Sequence, residues 1–556
     1  MSEENTAGEE SAAKEERRSW VPNRKQKPRK SKKEFDRKKM ENLVDDDKPV
    51  YRGELDPRKK DPDRKPRSVS RSEEKVRAKA ERLAEEDPSL ASRKVVKITD
   101  FRDQFERCEA SPGRLAALYA TQQVRRRQAY AQEVIEATID KSTISQQDRA
   151  FATLLTLGVV SSLGSLDEVI NRCLQSPRDI KPDVRDAMRI SAYEITYLRK
   201  APHAAVDQGV ELVRAVAPSA SGLANAVLHR ILESADAFPF GDPAKNLDAL
   251  ALMYAFPTWL ARLLIEDMGA QAAVELMKAS NDPAPLFIHV NSCKATDEEV
   301  MALFEEVGTK LEPAEAGEVK APGCYRVPDT RALTDGRIRR LFSQGKILVS
   351  DAAAQAVAAS VLENGMPGSI LEVGAGRGTK TIMLQSDSMR MFGEQMNLTS
   401  MDSHAFKTDL LRERANEYGV HLADIVTGNA TRLDSVMPDR EFDLVFIDAP
   451  CSGLGTLRRH QDIRWRIEQE KIEALAETGL ELLRSAAGHV AAGGSIVYAT
   501  CTVTYAENNG VVKRFLESEQ GSKFKLAPIN GKACFFSQLS GNSPDAHFAA
   551  RFVRVQ

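Results

Sequence analysis

The stretch that most restricts this chain is residues 442–466, FDLVFIDAPCSGLGTLRRHQDIRWR. Leu444 to Ile447 form an unbroken apolar run, the pattern of a strand buried on both faces of a parallel sheet. Pro450 has no N–H to donate and ends ladder pairing just after Asp448. In an open α/β sheet, ligands bind beyond the carboxyl ends of the strands. An acid (Asp448), a thiol (Cys451) and a basic segment with a tryptophan therefore fall on the expected active-site edge. Alone, the pattern also describes a strand, a turn and a chance cysteine. A second stretch, residues 495–509 (SIVYATCTVTYAENN), repeats the design with a strand that ends in Thr500-Cys501.

From Gly345 onward, strand and helix patterns alternate. Strands are expected at 369–373, 397–401, 442–447 and 495–500, with a closing strand at 547–555, which predicts a doubly wound α/β domain. The first strand runs into a Gly-rich turn, SILEVGAGRGTKT at 369–381. Gly374, Gly376 and Gly378 let the backbone approach a ligand closely, and the following helix start offers donors. Asp402 ends the second strand, where dinucleotide folds place an acid that accepts hydrogen bonds from ribose hydroxyls. No Walker A lysine pattern follows the turn, which disfavours a nucleoside triphosphate.

The remainder divides by composition. At 556 residues the chain has room for about three or four domains. Seven scattered cysteines without a CxxC pair speak against a disulfide framework or zinc site and fit a reducing cytoplasm. Neither a signal peptide pattern nor an apolar run of the ~20 residues a membrane helix needs is found. Residues 1–105 are rich in charge, Pro and Ser and are expected to be a disordered tail, with a helix possible only near Glu73–Glu86. Between Arg17 and Lys39 it carries twelve Lys or Arg residues. Such an arm either solubilises the chain or tethers RNA. Residues 106–236 read as all-helical, opening at Ser111-Pro112, a serine cap followed by Pro at the first helical position. Arg125, Arg126 and Arg127 are phosphate-contact candidates or simply a solvated face. After the Phe238–Pro243 break, residues 245–345 read as a small α+β module, with a helix after Pro257 and a strand within 285–292. Arg337, Arg339, Arg340 and Lys346 either line an RNA path or are plain surface charge. Residues 346–556 form the α/β domain.

The Pro-Cys at 450–451 and the Thr-Cys at 500–501 together resemble the RsmB-like (Sun/Nop2 superfamily) RNA cytosine-C5 methyltransferases. PHAAVDQGVELVRA (202–215) and GLANAVLHRI (222–231) resemble the NusB-like RNA-binding domain fused ahead of the catalytic part in that family. The resemblance implies an S-adenosylmethionine site formed by Gly374, Ala375, Gly376, Arg377, Gly378, Thr379, Lys380, Asp402, Asn429 and Asp448. The family has a Pro and a further Gly in the turn, and an Asp where Asn429 stands; this chain has neither. Cys501 is implied as the nucleophile toward C6 of cytosine, since C5 alone does not attack a sulfonium. A free thiol titrates near ~8.5, so this role needs an activating site. Asp448 is implied to protonate or hydrogen-bond N3, which calls for a proton-bearing acid. Cys451 is implied to assist loss of the C5 proton and release of Cys501. Arg458, Arg459 and Arg464 match a basic family run and are expected at phosphates, and Trp465 is expected to pack rather than stack. The implied partner is RNA, small-subunit (16S) ribosomal RNA foremost, bound by a cytoplasmic monomer. A tRNA methyltransferase and a catalytically silent NusB-like antitermination factor are the alternatives.

Overall fold

The computed structural model describes residues 104–555 apart from 140, 141, 200 and 318. The charged tail up to residue 103, with its basic arm and the helix expected near Glu73–Glu86, lies outside the described residues.

Seven α-helices come first: α1 (Pro112–Arg127), α2 (Ala131–Thr138), α3 (Gln146–Ser161), α4 (Leu163–Arg172), α5 (Pro182–Tyr193), α6 (Pro202–Val216) and α7 (Ser221–Ser234). Their apolar positions close on one core that includes Leu118, Leu155, Ile190 and Leu212. Each such side chain contributes about 1.5–3 kcal/mol on burial. α1 begins where Ser111-Pro112 predicts, but Ser111 makes no cap to the backbone. Its hydroxyl instead accepts from Arg114 Nη1 at 3.0 Å. Arg125 is drawn inward to Asp183 and to the buried Asp186, and Arg126 pairs with Asp183.

Three helices follow, α8 (Leu247–Tyr254), α9 (Thr258–Met268) and α10 (Ala270–Ala279). They pack against Leu454, Leu457, Ile472 and Val503 of the last domain. Next comes an antiparallel sheet in the order β2-β3-β1-β4, made of β1 (Phe287–Val290), β2 (Glu312–Ala316), β3 (Val319–Arg326) and β4 (Ile347–Val349). One face is covered by α11 (Asp297–Glu306) and α12 (Gly336–Ser343) through Val300, Phe304 and Ile338. The other shares a core with α13 (Ala352–Val361) and the large sheet. Arg337, a candidate for the RNA path, is paired with Asp335 and Glu306.

The large sheet runs β10-β12-β9-β8-β5-β6-β7, with β11 on β12. Its strands are β5 (Ile370–Val373), β6 (Leu398–Asp402), β7 (Asp424–Thr427), β8 (Phe442–Asp448), β9 (Val490–Thr500), β10 (Phe524–Ala527), β11 (Phe535–Phe536) and β12 (Phe548–Arg554). β7, β6, β5, β8 and β9 are parallel, whereas β12 runs antiparallel to β9 and β10. The sheet is thus doubly wound with an antiparallel end. β7 and β10 escape a sequence reading because they are short and half-exposed, with no apolar run. The helices α14 (Thr379–Phe392), α15 (Ala405–Tyr418), α16 (Gln469–Ala487) and α17 (Asn509–Leu516) complete the fold. From β5 the chain winds one way through β6 and β7, then returns to β8 and winds the other way. The crevice at that reversal lies between the carboxyl ends of β5 and β8.

One carboxyl sits inside this sheet. Glu372 of β5 is fully buried and accepts from Thr381 Oγ1 at 2.6 Å and Ser400 Oγ at 2.7 Å. Its Oε1 has no partner among the described residues. Burial pushes this carboxyl from its ordinary 4.5 up to about 7, against the hydrogen bonds that oppose the shift. Between those values the unfolded chain releases a proton that the folded chain keeps, so stability falls as pH rises through that window. Glu372→Gln cannot ionise. Its stability relative to the parent should therefore rise from pH 4.5 to pH 8, by up to about 3 kcal/mol. Urea melts at the two pH values measure this, and a parallel shift in both proteins would refute the assignment.

Candidate active site

β8 and β9 stay in parallel register from Leu444↔Ser495 to Asp448↔Ala499, and the Ala449 N–H still reaches Ala499 O at 2.9 Å. Pro450 then turns the chain out of the sheet. The two cysteines that follow meet: Cys451 Sγ lies 3.3 Å from Cys501 Sγ, and the Cys501 N–H points at Cys451 Sγ, also at 3.3 Å. The loop after Cys451 returns through Gly455, whose N–H donates to Cys501 O at 3.0 Å and whose carbonyl accepts from Ala546 N at 3.0 Å. A Cβ on Gly455 would fall 1.9 Å from Ala546 O, so only glycine passes here.

The sulfurs are not equivalent. A hydrogen bond from the Cys451 thiol holds Cys501 below the usual thiol range despite burial, and the Lys380 ammonium acts in the same direction. That hydrogen bond, together with burial, pushes Cys451 well above the range. Of the two sulfurs, the surroundings favour charge on Cys501. Charge placement of this kind is what turns a cysteine into a nucleophile.

Lys380 stands in the first turn of α14 and donates from Nζ to Asp448 Oδ2 at 2.8 Å. Burial works against its charge, but the Asp448 carboxylate outweighs it and holds the ammonium above its ordinary range. The Asp448 carboxyl, expected at N3 of the base, therefore has a cationic partner in Lys380.

The glycine turn occupies the crevice. Gly374 has φ +82°, and a Cβ there would meet Asp448 O at 2.4 Å, so glycine is what lets the ends of β5 and β8 close together. Gly374 and Ala375 both donate to Met401 O, and Gly376 N donates to Asp402 Oδ2 at 3.1 Å. Gly376, at φ +57°, has nothing nearer than 3.9 Å to a Cβ position, which leaves open space beside the turn. Gly378 precedes α14, Thr379 begins it, and Arg377 is exposed with its carbonyl accepting from Arg414 Nη1. Asp402 is buried and also accepts from His404 N at 3.0 Å and Lys407 Nζ at 3.4 Å. Asn429 is exposed after β7, and its Oδ1 caps the Thr431 N–H at 3.0 Å. An open glycine cradle with a buried carboxylate at its side fits the nucleoside and ribose of S-adenosylmethionine.

The arginines of the 458–466 run do something other than expected. Arg458 is buried and donates to the carbonyls of Ala279, Gly541 and Ser543. Arg459 joins Asp351 and Asp545 and reaches Pro285 O. Arg464 is fully buried, gives hydrogen bonds to the carbonyls of Tyr254, Ala255 and Ser280, and lies 4.3 Å from the centre of the Phe256 ring. The three guanidinium groups are thus engaged within the protein and clamp the site loop to segments before and after it. Trp465 packs, as expected: its Nε1 donates to Ser161 O at 2.7 Å and its ring covers Gly164. Two buried acids at the site escape sequence reasoning, Glu372 and Glu507. Their signals are an acid inside an apolar strand and an acid in the hydroxyl-rich run after Cys501.

Three family descriptions match the chain. Residues 111–233 match the NusB family. Residues 256–319 match the ferredoxin-like domain of RsmF/B-like methyltransferases, and residues 359–549 match the 16S rRNA methyltransferase RsmB/F family. A ribosomal RNA small subunit methyltransferase B of Vibrio cholerae is 31% identical over 378 residues, 67% of this chain and 82% of the relative. A probable ribosomal RNA small subunit methyltransferase B of Synechocystis is 30% identical over 414 residues, 73% and 89% of the two chains. The crystal structure of PH0851 shares the fold with a TM-score of 0.64 at 21% identity, covering 80% of this chain and 100% of its own. With helical domain, ferredoxin-like sheet and two-cysteine α/β domain matched in order, this chain belongs to the RsmB/F family of 16S rRNA methyltransferases.

Proposed function

We propose that the protein methylates C5 of a cytosine in 16S ribosomal RNA through a covalent bond between Cys501 and C6 of the base. The observation that carries this reading is the sulfur contact at 3.3 Å, with the charge favoured on Cys501 and the Lys380–Asp448 pair alongside. The thiolate adds to C6, and the ring electrons move toward N3. The Asp448 carboxylate accepts from the 4-amino group while the Lys380 ammonium supplies the proton that N3 takes up. C5 is then an enamine carbon able to attack. S-adenosylmethionine, the family's cofactor, supplies an electrophilic methyl group to that carbon. Cys451 serves the release: its sulfur takes the C5 proton as its own proton passes to the departing Cys501, the C5–C6 double bond reforms, N3 returns its proton to Lys380, and loss of one proton from Cys501 to solvent restores the thiolate. Asp402 and the glycine turn hold the cofactor, and the helical domain adds RNA affinity.

The reading is tested by mapping 5-methylcytosine in 16S rRNA from cells with and without the protein; one site should vanish with it. The cysteines should fail differently. Cys501→Ala should give neither methylation nor adduct, whereas Cys451→Ala should accumulate a protein–RNA adduct stable on a denaturing gel. Adducts from the Cys501 variant alone would make Cys451 the nucleophile, and full methylation by both variants would refute covalent catalysis. Asp402→Ala removes the partner of the Gly376 N–H and a ribose acceptor. Cofactor binding by calorimetry should weaken by about 1–3 kcal/mol, roughly 5- to 150-fold, with RNA affinity unchanged. Unaltered cofactor binding would remove Asp402 from the site.

A further inference from the structure

Each cysteine is followed by a hydroxyl residue, Ser452 after Cys451 and Thr502 after Cys501. The two oxygens lie 2.6 Å apart, and both meet one carboxylate. Glu507 Oε2 accepts from Ser452 Oγ at 2.6 Å, Thr504 Oγ1 at 2.7 Å and Thr502 Oγ1 at 3.3 Å, while Oε1 accepts from the Ser452 N–H at 2.6 Å. All four residues are buried. The segment carrying Glu507 is itself held, because Tyr498 Oη donates to Glu507 O at 2.9 Å and Asn508 Nδ2 donates to Thr502 O at 3.0 Å.

This knot lies where the sheet no longer acts. The β8–β9 ladder ends at Asp448↔Ala499, and among the described residues no backbone–backbone hydrogen bond joins 450–453 to 500–503. One backbone tie, Gly455 N to Cys501 O at 3.0 Å, joins the loops further on, and the residues before it keep backbone freedom worth about 1–2 kcal/mol each. The side-chain bonds to Glu507 add the restraint at Ser452 and Thr502, directly beside the sulfurs. Electrostatics rules out a different role. A negative charge behind the sulfurs disfavours a thiolate on either one, so Glu507 cannot serve to activate Cys501.

We propose that Glu507 is the positioning residue of the cysteine pair, a buried carboxylate that keeps the two sulfur-bearing loops in register without touching sulfur or substrate. Its catalytic consequence rests on the two-cysteine reading above, but its geometry does not. The test therefore reads sulfur proximity first. The reduced full-length protein is treated with diamide, a thiol oxidant, and the Cys451–Cys501 disulfide is followed by peptide mass spectrometry. The parent should close it rapidly. Glu507→Gln turns one acceptor into a donor facing donors, and closure should slow at least tenfold; Glu507→Ala should slow it further. In the reduced variants, without diamide, single-turnover methylation should fall about a hundredfold while cofactor affinity stays within twofold, a split that general loss of structure would not produce. If the Ala variant fails to fold, the Gln variant decides. Parental closure in Glu507→Gln, or no closure in the parent, overturns the proposal. Slowed closure with undiminished methylation would leave the positioning role standing and overturn the two-cysteine chemistry instead.

Discussion

Because β8 and β9 are adjacent and parallel, whatever follows their last residues emerges at one level on one edge of the sheet. The register Asp448↔Ala499 brings out Cys451 and Cys501 side by side, at 3.3 Å. Everything else at the site depends on this. The reversal between β5 and β8 lets the glycine turn reach the same edge, and Gly374 permits that approach because a side chain there would strike Asp448 O. The first turn of α14 then delivers Lys380 to the Asp448 carboxylate and into range of the sulfurs. Lys380 thereby favours charge on Cys501 over Cys451.

The same edge is braced from outside the catalytic domain. Arg458, Arg459 and Arg464 donate to carbonyls of Ala279, Pro285 and Ala255, all ahead of the domain, and Arg459 also pairs with Asp351 near its start. Trp465 reaches further, to Ser161 in α3. The loop that carries Cys451 is consequently clamped to both the α8–α10 layer and the helical domain. Buried guanidinium groups cost desolvation, and the lowering of Arg464 to about 9 is that cost expressed as a proton affinity.

Much of this was legible beforehand. Apolar runs that stop at Asp448 and Thr500 marked the strands, the glycines marked the turn, and the two Cys dipeptides marked the edge. The α/β class, the helical domain and the helix after Pro257 follow from periodicity alone. What stayed hidden depends on tertiary partners. A run such as Arg458-Arg459 reads as a phosphate contact until the carbonyls it faces are known. Nothing local to Asp448 shows that Lys380 of α14 donates to it. Glu372 and Glu507 are invisible as site residues because their meaning lies in hydroxyls that come from other strands and loops. β12 and β10 add an antiparallel end that no local pattern announces, since the direction of a strand is not written in its side-chain period.

The central claim is that the pair carries one negative charge and that it resides on Cys501. Alkylation of the native protein by iodoacetamide across pH, followed peptide by peptide in a mass spectrometer, measures this directly, because only thiolate reacts at an appreciable rate. Cys501 should be labelled first and at lower pH than an ordinary thiol, with Cys451 reacting only in more alkaline solution. Labelling of Cys451 first, or equal rates for the two at every pH, would contradict it.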